Sequence, residues 1–508
     1  MSDEEWIAQV RGLVGQAVRA RLAHFGLGEI ASLDRIEALV RALVTALAVV
    51  AFEVWAEVLT EMAIGVALNC PGCGHARKCK RRQDAPMLVR ALGLTVAVPK
   101  PYFECARCEA PGVSISALLS GLTSGAASSE LKVRAGYSAS QHSYGKAKRD
   151  LLVHYGETVE RTALRRMALE VETHAKDFAE RTRVEALSRI AGERRTVGTP
   201  QLMLQADGGM VRTGTLVPCV RGDPGFEKKT QKRGLPRRKR DTQFRELMTF
   251  DVREPGAVEA SALDVMVPVH APPGERARRM LALAARKGLG DETEVLGLGD
   301  MGSSLPTSFA EAFVGYPKSH WYGDWRHVCD YVRKASDVLV GVDQAHWRQK
   351  MRDACWERDE RERDRLLRRA RKHRVPELPP HMDKCPVATL DTYLRNNWDH
   401  IRAKELKERG FEYVSSRAES QVRDRTHVRF HVAGAWRSEH LEGKGTLRAI
   451  IDEGRWLHFR ADYLRHAACA FEDQLVLRLE RARTEGRLSP EQIAAILDRP
   501  TAEQREAA

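Results

Sequence analysis

The chain holds 508 residues, more than one hydrophobic core organises, and at about 100–200 residues per domain it should divide into roughly three to five units. A net charge of +13 favours a polyanionic partner such as nucleic acid. The opening MSDEEWIAQV is acidic and lacks both a basic segment and an apolar run with a cleavage site, so the expectation is a cytoplasmic, nucleoid-associated protein with no membrane partner.

Residues 1–62 read as a helical N-terminal domain, with Ser32 and Asp34 as cap residues ahead of a long apolar stretch. Arg41, Glu53, Glu57 and Glu61 interrupt that stretch. A membrane span needs about 20 predominantly apolar residues, so a buried amphipathic helix is expected instead. Segment 63–122 carries CPGC and CARC. Each CxxC lets two thiolates from one tight turn reach a single tetrahedral ion, so Cys70, Cys73, Cys105 and Cys108 predict a structural Zn²⁺ site in a zinc ribbon, with His75 and Cys79 nearby as alternative ligands. Residues 123–195 read as helices: Gly156 breaks the run, Thr158 can cap, and the next helix bears Arg161, Arg165 and Arg166. This fits a helix-turn-helix whose second helix enters the major groove of double-stranded DNA, or a helical hairpin with a solvated basic face.

From residue 196 the pattern turns to short strands. LMLQADGG and VLGLGD each run an apolar strand into a carboxylate, Asp207 and Asp300, where burial would penalise it. Between the strands LMLQADGGMVRTGT and FRELMTFDVRE lies a basic loop with Lys228, Lys229, Arg237, Arg238, Lys239 and Arg240, suited to gripping DNA phosphates without regard to sequence. Strand and helix then alternate through 196–343, which indicates an α/β core. Charged helices over 344–412 read as an all-helical insertion, 413–465 as the last part of the core, and 466–508 as a C-terminal helical tail. No Walker-type phosphate loop, dinucleotide fingerprint, HExxH or GxSxG occurs, which removes support for ATP-driven, redox, zincin and serine-hydrolase chemistry.

The order of these features resembles the Mutator-like DDE transposases of bacterial insertion sequences, in particular the ISKra group. The matching residues are Asp207 with Gly208, Asp300 after Gly299, Asp324 with His327, and Glu419 ahead of Arg423, Arg425 and Trp436, within a span from about Cys70 to Leu464. GDMGSS and SSRAES depart from the GDG and SGxxE usual in that group. The resemblance implies a multidomain α+β protein with an RNase H-like core, interrupted by the helical insertion, in which Asp207, Asp300 and Glu419 hold two Mg²⁺ or Mn²⁺ ions and Asp324 and His327 support them. It further implies cleavage at the ends of a DNA element, then attack of the freed 3′-hydroxyl on target DNA, by a homo-oligomer bound to both. Two alternatives remain: a non-catalytic DNA-binding derivative, and an RNase H-like nuclease without strand transfer. Glu419 is preferred to Asp324 as third acid because Asp324 can cap its own helix, whereas Glu419 sits in the first turn of a helix that Ser415 or Ser416 can cap.

Overall fold

The computed structural model describes residues 69–80, 87–91, 94–98, 102–114, 126–192, 198–223, 237–257, 261–301, 304–373, 384–415 and 440–497, with isolated positions beyond these ranges. Four short strands come first, β1 (Lys78–Lys80), β2 (Met87–Ala91), β3 (Leu94–Val98) and β4 (Tyr102–Glu104). Three helices follow, α1 (Ser129–Gln141), α2 (Tyr144–Tyr155) and α3 (Arg161–Gly192). Then come β5 (Gln201–Pro218), β6 (Arg238–Arg253), β7 (Ala262–Met266), α4 (Glu275–Arg286), β8 (Glu294–Gly299), α5 (Leu305–Ala312), β9 (Ser319–Gly323) and α6 (Trp325–Ser336). The elements described next are α7 (Gln344–Trp356), α8 (Glu360–His373), α9 (Pro386–Asn397) and α10 (Ala403–Glu408), a helical stretch, and the described residues close with α11 (Leu441–Asp452), α12 (Trp456–Thr484) and α13 (Pro490–Leu497). No helix among the described residues is long and apolar enough to cross a membrane. The helical reading of 1–62 lies outside the described residues, apart from isolated helical positions such as Val50 and Trp55.

The chain forms a mixed α+β protein of two compact units. One comprises Met1–Ala135, Lys148–Glu160 and Tyr463–Ala508. Its strands are two small antiparallel pairs, β1 with β4 and β2 with β3. Pairing of Lys78 with Glu104 brings the two CxxC turns to one end of the β1–β4 pair. The sequence separates 63–122 from a tail at 466–508, but the structure joins them. Phe103 and Val113 of the ribbon share a buried cluster with Leu479, Ala482, Leu488 and Ile493, and Arg77 donates to the carbonyls of Arg487 (2.7 Å) and Pro111 (3.1 Å). So short a ribbon cannot cover its own apolar side chains, and the C-terminal helices supply the missing half of the core.

The second unit, Gly136–Ala147 with Arg161–Asp462, is built on a five-stranded mixed sheet in the order β7-β6-β5-β8-β9. β5 runs antiparallel to β6 and β6 to β7, whereas β8 is parallel to both β5 and β9. The parallel pairs require crossovers, which α4 and α5 provide. One face buries Leu202, Leu204, Met248, Phe250 and Val295 against Met280 and Leu283 of α4 and Phe309 of α5. At roughly 1.5–3 kcal/mol for each large apolar side chain removed from water, this cluster dominates the unit's stability. The other face carries Met203, Leu296, Leu298 and Tyr322 against Leu406 at one end, and Val211, Leu247 and Val265 against Leu441 and Ala449 of α11 at the other. Gly297 is needed because a side chain there would collide with the Trp321 indole lying across β8.

Two strand readings are corrected. β5 runs past Asp207, as the strand LMLQADGGMVRTGT anticipates, and continues beyond Thr215 to Pro218, because Val211 and Thr213 go on alternating inward and the whole length pairs with β6. β6 accordingly starts at Arg238, so Arg238, Lys239 and Arg240 are strand residues opposite Pro218, Val217 and Leu216 rather than loop residues.

Candidate active site

The parallel ladders end at one level. Ala206 pairs with Gly299 and Gly299 with Gly323, so the next residue on each of three adjacent strands is an aspartate: Asp207, Asp300 and Asp324. The order β7-β6-β5-β8-β9 also makes the gap between β5 and β8 the point where connections change direction. In open α/β sheets, ligands bind at the carboxyl ends of the strands at such a switch point. Asp207 and Asp300 flank it.

The three carboxylates differ in their surroundings. Asp207 is half-buried and its Oδ1 accepts the Gly208 N–H at 2.8 Å. Burial raises its pKa, Asp324 and Asp300 push the same way, and the Gly208 N–H and His327 oppose them. Asp324 is fully buried. It is the N-cap of α6: Oδ1 accepts the Arg326 N–H at 2.8 Å, while Oδ2 accepts from the Ser415 N–H at 3.2 Å and from the Ser415 hydroxyl. His327 Nε2 stands 4.0 Å from Asp324 Oδ2. Asp324 therefore works as a structural pin with both oxygens occupied. Asp324→Asn would keep the bond to Arg326 but turn an amide donor toward the Ser415 N–H. It should lower the stability of the sheet unit by about 1–3 kcal/mol, read as a fall in its melting temperature; an unchanged melt would contradict the pin.

A further acid, Glu246, escapes sequence reading. Its carboxylate lies over Gly208, where any side chain would collide with it. Burial raises its pKa, as do Asp207 and Asp300, against Arg276. Alternation puts Glu246 on the sheet face opposite Asp207, so it belongs to the electrostatic surroundings of the row. Only the long β5–β6 pairing brings it there, and FRELMTF carries no local sign of it.

The segment returning from the helical stretch is tied down beside this row. Glu412 accepts from Gln205 (2.5 Å) and from Arg253 (2.5 Å), and Arg253 also binds Asp251 (2.9 Å). The Trp325 N–H donates to the Tyr413 carbonyl at 3.1 Å, and Ser415 closes the run on Asp324. Arg253 and Asp251 are fully buried; breaking such a pair by removing one partner costs about 3–5 kcal/mol. Glu419, Arg423, Arg425 and Trp436 lie outside the described residues, although Ser420 is helical.

In the four-cysteine unit, the Sγ atoms of Cys70, Cys73, Cys105 and Cys108 all lie within 4.8 Å of one another. The Cys70–Cys108 and Cys73–Cys105 separations are 3.3 and 3.5 Å, near the ~3.8 Å edge of a tetrahedron with Zn–S bonds of about 2.3 Å. The cluster could hold a structural zinc. His75 is engaged elsewhere, with Nδ1 3.0 Å from the Cys73 carbonyl and Nε2 against Arg107. The side chain of Cys79 is outside the described residues. Among the described residues no acidic group gathers its donor atoms as tightly as these thiols.

The basic residues are dispersed. α3 begins at Arg161, past Thr158, after a left-handed turn at Gly156. Arg161, Arg165 and Arg166 are exposed on its first turns, while its 32 residues bury a face from Leu164 to Ala186. Arg237 stacks on Phe226, its guanidinium 4.3 Å from the ring centre. Arg238 is exposed. Lys239 is paired with Asp223 at 2.5 Å, which removes it as a free cation. Lys228, Lys229 and the side chain of Arg240 lie outside the described residues.

No protein-family model and no curated protein matches the chain. Among solved structures it is similar to the Drosophila P element transposase strand transfer complex, with 12% identity, covering 77% of this chain and 96% of that one, at a TM-score of 0.23. A superposition at that level does not establish a shared fold.

Proposed function

We propose that the protein is a DDE-type transposase: an RNase H-like enzyme that binds the ends of a DNA element, cleaves phosphodiesters there and joins the freed 3′-hydroxyl to target DNA. The observation that carries the reading is the level row of Asp207, Asp300 and Asp324 at the switch point of a mixed sheet. A half-buried Asp207 whose pKa is raised by burial and by the neighbouring Asp324 and Asp300 suits a divalent cation, and an all-oxygen donor set selects hard ones such as Mg²⁺ or Mn²⁺. When bound, two such ions supply activation of an attacking oxygen and neutralisation of a leaving one.

The chain's own residues would divide the work. Asp207 and Asp300 would be ligands on adjacent strands, with Glu419 the third acid, four residues beyond the Ser415 anchor. Asp324, Glu412 and Arg253 hold the segment that leads to Glu419. The four cysteines would bind structural zinc, and Arg161, Arg165, Arg166 and the β5–β6 hairpin would face double-stranded DNA. Processing two element ends together calls for a homo-oligomer on DNA. The full chain should be incubated with Mg²⁺ and a duplex bearing the inverted repeats that flank its gene. Cleavage followed by joining is expected. Cleavage without joining would favour a nuclease, and binding without cleavage a non-catalytic derivative.

The hairpin makes a separate expectation. Replacing Arg237, Arg238 and Arg240 together by Ala should flatten the dependence of log affinity on log salt by about 0.9 for each phosphate that is no longer neutralised, with sequence preference unchanged. Lys239→Ala should leave the slope alone, since Asp223 already neutralises it. An unchanged slope in the triple variant would remove the hairpin from the DNA surface.

A further inference from the structure

Two buried hydroxyls beside the aspartates have no hydrogen-bond partner among the described residues: Thr249 Oγ1 and the phenol of Tyr393. Thr249 is fully buried and lies directly across the β5–β6 ladder from Asp207, on the same face of the sheet. Side chains so paired have Cβ atoms about 4.5–5.5 Å apart, close enough to serve one ligand. Tyr393, on α9, is 6% exposed and stacks on Tyr331 of α6, ring centres 4.1 Å apart and planes at 21°. Burial raises the Tyr393 pKa, and Asp300 is the charge that adds most, so the phenol stays protonated.

An unsatisfied buried hydroxyl costs about 1–3 kcal/mol, which Val at 249 and Phe at 393 would avoid while filling the same space. Both groups therefore stand without a partner among the described residues. Resting on the metal-dependent reading above, we propose that Thr249 and Tyr393 are positioning residues that hydrogen-bond to the hydration shell of a divalent cation held by Asp207 and Asp300. Hard cations such as Mg²⁺ keep several waters when carboxylates bind them. Those waters are donors, and both hydroxyls offer lone pairs to accept from them.

The test uses full-length, zinc-loaded protein, otherwise free of divalent ions, and titrates Mn²⁺ while recording the melting temperature of the sheet unit. Wild type should gain stability with Mn²⁺. Thr249→Val and Tyr393→Phe should melt at or above wild type without Mn²⁺, yet need about 10–100 times more of it for the same gain, the usual penalty for losing a partner of a metal's ligands. Thr249→Ser keeps the hydroxyl and should titrate as wild type. Curves for Thr249→Val and Tyr393→Phe that overlay wild type, or a Thr249→Ser variant as weak as Thr249→Val, would overturn the proposal. Asp300→Asn separates the two failures: if it also binds Mn²⁺ like wild type, the metal site itself is absent and not only the role of the hydroxyls.

Discussion

Asp207→Asn should abolish metal-dependent DNA cleavage while leaving DNA binding intact. Asn keeps the hydrogen bond from the Gly208 N–H but removes the charge that would bind a cation. Losing several kcal/mol of transition-state stabilisation lowers the rate on the order of a thousandfold or more, and Asp300→Asn should match it. The same substitution carries an opposite sign for stability. Because burial and its neighbours raise the Asp207 pKa in the folded state, Asp207 contributes stability below its unfolded pKa that is lost as pH rises through the raised folded value. Without divalent ions, Asp207→Asn should therefore melt higher than wild type at neutral pH, and the difference should shrink in acid. A variant that cleaves normally would remove Asp207 from the active site; one that merely melts lower would point to a structural role.

Cys70→Ser should release the zinc and loosen a region far along the sequence. Structural zinc binding supplies about 10–16 kcal/mol in small zinc-dependent folds, and the ribbon it would organise shares its core with Leu479, Leu488 and Ile493. Metal analysis of the full chain should give about one zinc in wild type and none in the variant. Limited proteolysis should then cut within α12 and α13 in the variant but not in wild type. A variant with its metal content unchanged would exclude Cys70 as a ligand. A zinc-free variant with protected C-terminal helices would show that those helices hold the unit together by themselves.

The parts of this protein that announce themselves in sequence are those whose chemistry is local. Each CxxC turn fixes two thiols within one tight turn, and Asp324 caps the helix that follows it, so both can be read from spacing alone. Asp300 stands at the end of a continuous apolar run that forms a buried parallel strand. What depended on pairing across distance was not legible. The last step of β5 to Pro218 and the start of β6 at Arg238 arise only because the two strands lie beside each other for their whole length. Glu412 gives no sign of reaching Arg253, 159 positions away, and Ser415 meets Asp324 at a separation of 91. Both interactions depend on where the helical stretch returns the chain, which is set by tertiary packing. The tail was opaque for the same reason: its apolar positions are too sparse for a core of their own and acquire meaning only against Phe103 and Val113.

The joining of the ribbon to the C-terminal helices also sets the order of events during synthesis. Arg77 and its partner Arg487 are separated by 410 positions, so at about 5–20 residues per second the ribbon waits roughly 20–80 s on the ribosome for the rest of its core. Strands β5 to β9 emerge in that interval, and the sheet can assemble before α13 is made. A chain terminated early would then carry a folded sheet and an unfinished ribbon. Completion of the four-cysteine unit thus reports that synthesis has passed Ile493.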